Sequence, residues 1–203
     1  MIELYTSKTP NGRKVSIMLE ELGEPYEAIM VDLGKGDQFK PEFLAMNPNN
    51  KIPVIKDIDN GQVVFESGAI LIYLAEKHGR FLPAPGTAER VAVLEWLFFQ
   101  MASIGPMMGQ LFHFRNYQGE PQTYPIERFS GEVSRIFKVM ETRLSASPYL
   151  GGTDYSIADM AAYPWAKLGG FLGVDLDQLP GVSAWLELVG ARPAVQRGIN
   201  IPE

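Results

Sequence analysis

Three short segments carry side chains whose types and placing could do chemistry. Thr9-Pro10-Asn11-Gly12 offers a hydroxyl and an amide, Asn49-Asn50-Lys51-Ile52-Pro53 offers amides, an amine and a backbone bounded by proline, and Glu66-Ser67 sets a carboxylate beside a hydroxyl. None of these groups is a strong nucleophile, but together they are the donors and acceptors that hold a small charged molecule. The chain has no cysteine and 2 histidines, His78 and His113, which lie too far apart in sequence to form a helical ligand pair. Disulfides within the chain, thiolate metal sites and a cysteine nucleophile are excluded, and no metal is expected.

Each segment falls where a backbone can also take part. Ile2-Glu3-Leu4-Tyr5-Thr6 alternates apolar and polar residues, and Val15, Met18, Leu19 and Leu22 recur at one-sided helical spacing, so a strand runs into a helix N-terminus at Thr9 to Gly12. There the backbone N–H groups lack partners and the helix dipole favours an anion. A turn followed by a helix cap accounts for the same residues without a ligand. Pro53 opens a strand and cannot donate to a sheet, which suits either an ordinary edge strand or an Ile52 backbone paired with an extended ligand. Ser67 starts a helix directly after a strand, where its hydroxyl and N–H suit a carboxylate while Glu66 accepts from an ammonium group; a plain cap is the alternative.

The elements that must position these residues alternate over the first 80 or so residues. The pattern predicts strand 2–6, helix 12–22, strand 26–31, a short helix near 38–46, strands 53–57 and 62–66, and helix 67–78. A helix between the first two strands implies a parallel pair, and Asp59-Asn60-Gly61 reads as a tight hairpin, giving a mixed four-stranded α/β sheet. Residues 79–86, rich in glycine and proline, break the periodicity and separate a domain at 1–80 from one at 87–203. No strand pattern follows. Val91, Leu94, Leu97 and Phe98 begin a long helix that Gly105-Pro106 is expected to kink or end. A second runs from about 125 to 145 on a stripe of Ile126, Phe129, Val133, Ile136, Phe137, Met140 and Leu144. Ser156-Ile157-Ala158-Asp159 fits a helix start with reciprocal caps, a structural motif rather than a chemical one, and Tyr155 with Met160 fits a hydrophobic staple.

Of the 203 residues, 46% are hydrophobic and 21% charged, with a net charge of -6 and no Lys/Arg run. These values suit a globular protein and disfavour a nucleic-acid surface. Glu3 and Lys8 stand where a secretion signal needs an apolar stretch, and no uninterrupted run of apolar residues spans a bilayer, so a cytoplasmic protein with no membrane partner is expected.

In this order the segments resemble the glutathione transferase superfamily. Glu66-Ser67 is similar to its Glu/Gln-Ser pair, Pro53 to the cis-proline before its third strand, and Tyr-Ser-Ile-Ala-Asp at 155–159 to a motif of its helical domain. The bacterial nu class is most similar, through Thr-Pro-Asn-Gly at 9–12, Val-Asp-Leu-Gly-Lys-Gly at 31–36 with Gln38, Pro-Asn-Asn-Lys-Ile-Pro at 48–53 and Ile-Glu-Arg at 126–128. The resemblance covers the whole chain. It implies a thioredoxin-like N-terminal domain, an all-α C-terminal domain and a homodimer.

It also implies a disulfide-bond reductase that uses one or two glutathiones per subunit, with a peroxidase side activity. Conventional conjugation of electrophiles and a non-catalytic binding module are the alternatives. In a thioredoxin-like fold the loop before the first helix is where a redox CxxC would sit; this chain has no thiol there, so the sulfur comes from the ligand. By resemblance Thr9 and Asn11 stabilise the glutathione thiolate, ahead of Tyr5 and Ser7. Ile52, next to Pro53, pairs its backbone with the cysteinyl unit, Glu66 and Ser67 hold the γ-glutamyl group, Gln38 and Lys51 reach the glycyl end, and Arg128 holds a second glutathione. The substrate is a small disulfide, peroxide or electrophile. Met101, Met108, Phe112 and Phe114 are candidates for its pocket, though such a stripe is more often core.

Overall fold

The computed structural model describes residues 1–116, 119–120 and 122–202. They form two units, one of residues 1–82 with those from 191 onward and one of residues 83–190. The sequence pattern placed 87–203 together; residues from 191 group with the first unit.

In the first unit, alternation makes β1 (Ile2–Thr6) a strand with Ile2, Leu4 and Thr6 buried. It lies between β2 (Tyr26–Met30), which it pairs in parallel, and β3 (Val54–Asp57), which it pairs antiparallel; β4 (Val63–Phe65) closes the order β2-β1-β3-β4. The expected hairpin joins β3 to β4, with Gly61 at φ 75 and its N–H on the Asp57 carbonyl at 2.7 Å. Helix α1 (Pro10–Leu22) starts earlier than the apolar periodicity predicts, because Thr9 caps it and Pro10, with no N–H to leave orphaned, fits its first turn. A 3-10 turn at Asp37–Phe39 and the short α2 (Pro41–Leu44) occupy the predicted helix at 38–46. Phe43 joins Val31 and Val54 in a buried cluster against which Tyr5, Met46 and Ile52 pack. Helix α3 (Ser67–His78) buries Ile70, Leu71 and Leu74 and packs against α1.

Within the second unit, α4 (Ala88–Phe99) passes through a π-helical turn at Gln100–Ile104 into α5 (Gly105–Arg115). Pro106 neither ends the helix nor forces a break: the Gly105 N–H reaches the Gln100 carbonyl, and the wider turn absorbs the misfit of the ring. The resulting 28-residue helix is long and apolar enough to cross a bilayer by length and composition, while Val93, Leu97, Ile104, Met108 and Leu111 are buried within this unit. Helix α6 (Thr123–Leu144) buries Val133, Ile136, Phe137, Met140 and Leu144, as its stripe predicts.

Helix α7 (Ile157–Ala166) begins with the predicted capping box. Asp159, fully buried, accepts at Oδ1 from the Leu150 N–H and the Trp185 indole, both at 2.9 Å, and at Oδ2 from the Ser156 N–H and hydroxyl at 3.0 and 3.1 Å. Trp185 belongs to α8 (Pro180–Gly190).

The last helix, α9 (Pro193–Gly198), packs on α1 in the first unit. A Cβ on Gly198 would stand 2.6 Å from the Ile17 Cα, so glycine is what permits the approach. The Ser16 hydroxyl donates to the Gly198 carbonyl at 2.6 Å, and Arg192 forks onto Glu21 at 2.6 and 2.8 Å.

Candidate functional site

The loop between β1 and α1 assigns each residue of Thr9-Pro10-Asn11-Gly12 a separate task. Thr9 is extended, at φ -123 and ψ 157, and its Oγ1 accepts the Gly12 N–H at 3.3 Å. That bond uses a lone pair of the hydroxyl and not its proton. A Cβ on Gly12 would lie 2.2 Å from Thr6 Oγ1 and 2.7 Å from the Ser7 carbonyl, so only glycine lets the helix start this close to the loop. Asn11, at the second position of the helix, turns to a cleft of about 140 Å³.

That cleft lies in the first unit and is lined by Asn11, Asn47, Lys51, Ile52, Pro53, Glu66 and Ser67. Three segments separated in sequence therefore meet at one place. The Ile52–Pro53 peptide bond is cis. Glu66 sits at φ 71 and ψ 117, a left-handed backbone that costs a residue with a side chain about 1–3 kcal/mol and is typical of ligand sites. Glu66 is exposed, whereas Ser67, the first residue of α3, is 6% exposed.

Other expected residues stand elsewhere. Thr9 lies on the loop outside the cleft lining, and Gln38 is on the 3-10 turn, its Nε2 3.5 Å from the Leu33 carbonyl and its buried Oε1 without a hydrogen-bond partner among the described residues. Arg128 is exposed on α6, in the second unit; neighbouring Glu132 pairs with Arg135. Tyr5 is turned to other work, its hydroxyl donating to Glu3 at 3.0 Å, with burial and that carboxylate raising its pKa. Of the four candidates for a substrate pocket, Met108 is fully buried core and Phe112 is exposed beside Phe171.

Sequence reasoning missed two residues. Asn47 is 1% exposed and lines the cleft; its Nδ2 donates to the Lys51 carbonyl at 2.7 Å and its Oδ1 accepts the Asn49 N–H at 2.9 Å, which fixes the loop carrying Lys51 and Ile52. The turn-forming run Asn47-Pro48-Asn49-Asn50 was the available signal. Lys14 is 2% exposed and its Nζ donates to Ser67 Oγ at 3.3 Å. Burial pushes its pKa down to about 7, with the Glu66 carboxylate pulling the other way. Its signal was a lysine four residues before Met18, on the apolar face of α1. Among the described residues no group of three or more His, Asp or Glu could hold a metal.

Taken together, the cleft offers an amide at a helix N-terminus, a backbone edge beside Pro53, a carboxylate for an ammonium, and a hydroxyl at a second helix N-terminus for a carboxylate. Those are the complements of a small molecule that carries both an ammonium and a carboxylate. Residues 9–77 match the family Glutathione S-transferase, N-terminal domain, and residues 107–193 match Glutathione S-transferase, C-terminal domain. The chain is 48% identical to the disulfide-bond oxidoreductase YfcG of Escherichia coli (strain K12), over 98% of this chain and 94% of that protein. A crystal structure of a glutathione transferase from Burkholderia graminis, with two glutathione molecules bound per subunit, is 44% identical with a TM-score of 0.93, covering 100% of this chain and 88% of that one. One from Pseudomonas putida, with one glutathione disulfide bound per subunit, is 41% identical with a TM-score of 0.88, covering 100% and 92%.

Proposed function

Since the chain belongs to the glutathione S-transferase family, we propose that it is a glutathione-dependent disulfide-bond reductase. The observation that carries this reading is the meeting of Asn11, Ile52-Pro53 and Glu66-Ser67 around one cleft in a chain with no cysteine. The relative YfcG, named a disulfide-bond oxidoreductase, supports it.

Glutathione is a substrate of this reaction and supplies the reactive sulfur. Glu66 accepts from the γ-glutamyl ammonium group and Ser67 holds the adjacent carboxylate, Ile52 pairs with the cysteinyl backbone, and Lys51 with Gln38 takes the glycyl carboxylate. The sulfur then comes to the N-terminus of α1, where the Asn11 amide and the unused proton of the Thr9 hydroxyl stabilise thiolate over thiol. A free thiol of pKa about 8.5 is mostly protonated at neutral pH, so each unit of lowering, worth about 1.4 kcal/mol, raises the reactive fraction severalfold.

The glutathione thiolate attacks one sulfur of the substrate disulfide, forming a mixed disulfide and expelling the other half as a thiolate, which takes up a proton. A second glutathione thiolate attacks the glutathionyl sulfur, giving oxidised glutathione and the second thiol. Two glutathiones lose two electrons, one disulfide gains them, and no protein thiol turns over. Arg128 is assigned to the second glutathione, a reading supported by the relative with two bound per subunit. A peroxidase side activity, a cytoplasmic location and a homodimer complete the reading. Val91 and Phe98, 56% and 60% exposed and one heptad apart on α4, supply apolar surface for subunit pairing.

The test is steady-state reduction of 2-hydroxyethyl disulfide with glutathione, coupled to glutathione reductase, beside conjugation of 1-chloro-2,4-dinitrobenzene. Fast reduction with little conjugation is the expected result. Conjugation without reduction would make the protein a conventional transferase, and inactivity in both assays with glutathione still bound would make it a binding module.

A further inference from the structure

Lys14 is an ammonium on the buried face of α1, where Val15, Ile17, Met18 and Leu19 are also buried. Removing such a charge from water is costly unless the charge is used. Its Nζ reaches across to Ser67, which lies 53 residues further along the chain and opens α3 at the edge of the cleft. We infer that Lys14 is a positioning residue for the γ-glutamyl carboxylate of glutathione, holding Ser67 in place as a donor and setting a positive charge behind it, an assignment that rests on reading the cleft as the glutathione site.

The sense of the hydrogen bond is what matters. An ammonium has protons and no lone pair, so at this contact Lys14 donates and Ser67 Oγ accepts. A carboxylate arriving at the start of α3 meets that hydroxyl beside the helix N-terminus. It also arrives beside Glu66, a like charge, and Lys14 is a buried cation on the protein side that offsets both. Burial lowers the Lys14 pKa to about 7, so a second carboxylate nearby draws the group to its charged form. The N-terminus of α3 adds its own partial positive charge.

The experiment compares wild type, Lys14→Met, Ser67→Ala and the double variant by glutathione titration calorimetry and steady-state disulfide reduction, using glutathione and, separately, cysteinylglycine, which lacks the γ-glutamyl group. Lys14→Met should raise the Kd and KM for glutathione about tenfold, the scale of a hydrogen-bonded charge, while kcat at saturating glutathione and the KM for 2-hydroxyethyl disulfide stay within about twofold. With cysteinylglycine the two proteins should have equal kcat/KM. Adding Lys14→Met to Ser67→Ala should cost less than about threefold more, because the two residues act as a pair. Melting at or above the wild-type temperature is expected, since methionine fills the space without a buried charge; a merely structural lysine would lower it. If Lys14→Met does not fold, Lys14→Gln carries the same comparisons. Unchanged glutathione affinity, an equal loss with cysteinylglycine, or additive effects would overturn the assignment. A wild-type protein that binds no glutathione overturns the reading of the cleft as well, and so is distinguishable from failure of Lys14 alone.

Discussion

Replacing Asp159 with alanine should unfold the second unit far more readily than any surface change. The carboxylate accepts from the Leu150 and Ser156 N–H groups, the Trp185 indole and the Ser156 hydroxyl, all buried. Alanine leaves two backbone N–H groups and an indole N–H with no acceptor in that place, at about 1–3 kcal/mol each. Against this, the substitution relieves the burial that raises the Asp159 pKa, the four donors only partly compensating. A net loss of about 3–5 kcal/mol follows. Asp159→Asn keeps one acceptor oxygen but turns an NH2 toward donors, and should lose about 2 kcal/mol. Urea unfolding followed by tryptophan fluorescence is the assay, because Trp96, Trp165 and Trp185, all 3 tryptophans of the chain, lie in the second unit. A loss below about 1 kcal/mol for Asp159→Ala would refute the reasoning. Equal losses for the two variants would show that the acceptor geometry is not what matters.

Gly12→Ala should destabilise the first unit by about 2 kcal/mol or more, since the added methyl meets Thr6 Oγ1 and the Ser7 carbonyl inside van der Waals distance; denaturant midpoints against wild type check this. The stability difference between Lys14→Met and wild type should depend on pH in a fixed direction. The Lys14 pKa is lowered from 10.5 to about 7, so the unfolded chain binds more protons between those values and wild-type stability rises with pH across that window. The advantage of methionine should therefore be largest below pH 7, on the order of a few kcal/mol, and vanish by about pH 10.5. Chemical unfolding of both proteins at pH 6, 8 and 10 reads it directly.

The features legible in the sequence were those whose chemistry is local. Thr9 and Pro10 announce a helix start by side chain and ring, Asp59-Asn60-Gly61 announces a hairpin, and Ser156 with Asp159 announces a capping box, because partner and residue lie within a few positions. The cleft was legible as three separate segments, and only the β2-β1-β3-β4 sheet with α1 and α3 on it brings them together. Lys14 was legible only as a lysine on the apolar face of α1; its partner Ser67 is far along the chain and has no local pattern. The return of α9 to α1 depends on Ser16 meeting Gly198 across 182 residues, a contact without any local pattern. At Pro106 the local rule predicted a kink or an end, and the helix does not end there: it continues through a π-helical turn, with α4 and α5 both contributing buried residues.

The most direct test of the account is a pH titration of the ultraviolet thiolate absorbance of glutathione on the saturated protein. The chain has no cysteine, so any thiolate signal belongs to the ligand. The bound thiol should titrate at least one unit below the free value of about 8.5, and Asn11→Ala should move it back toward that value. A bound thiol that titrates where free glutathione does would contradict the claim that the start of α1 stabilises the ligand thiolate.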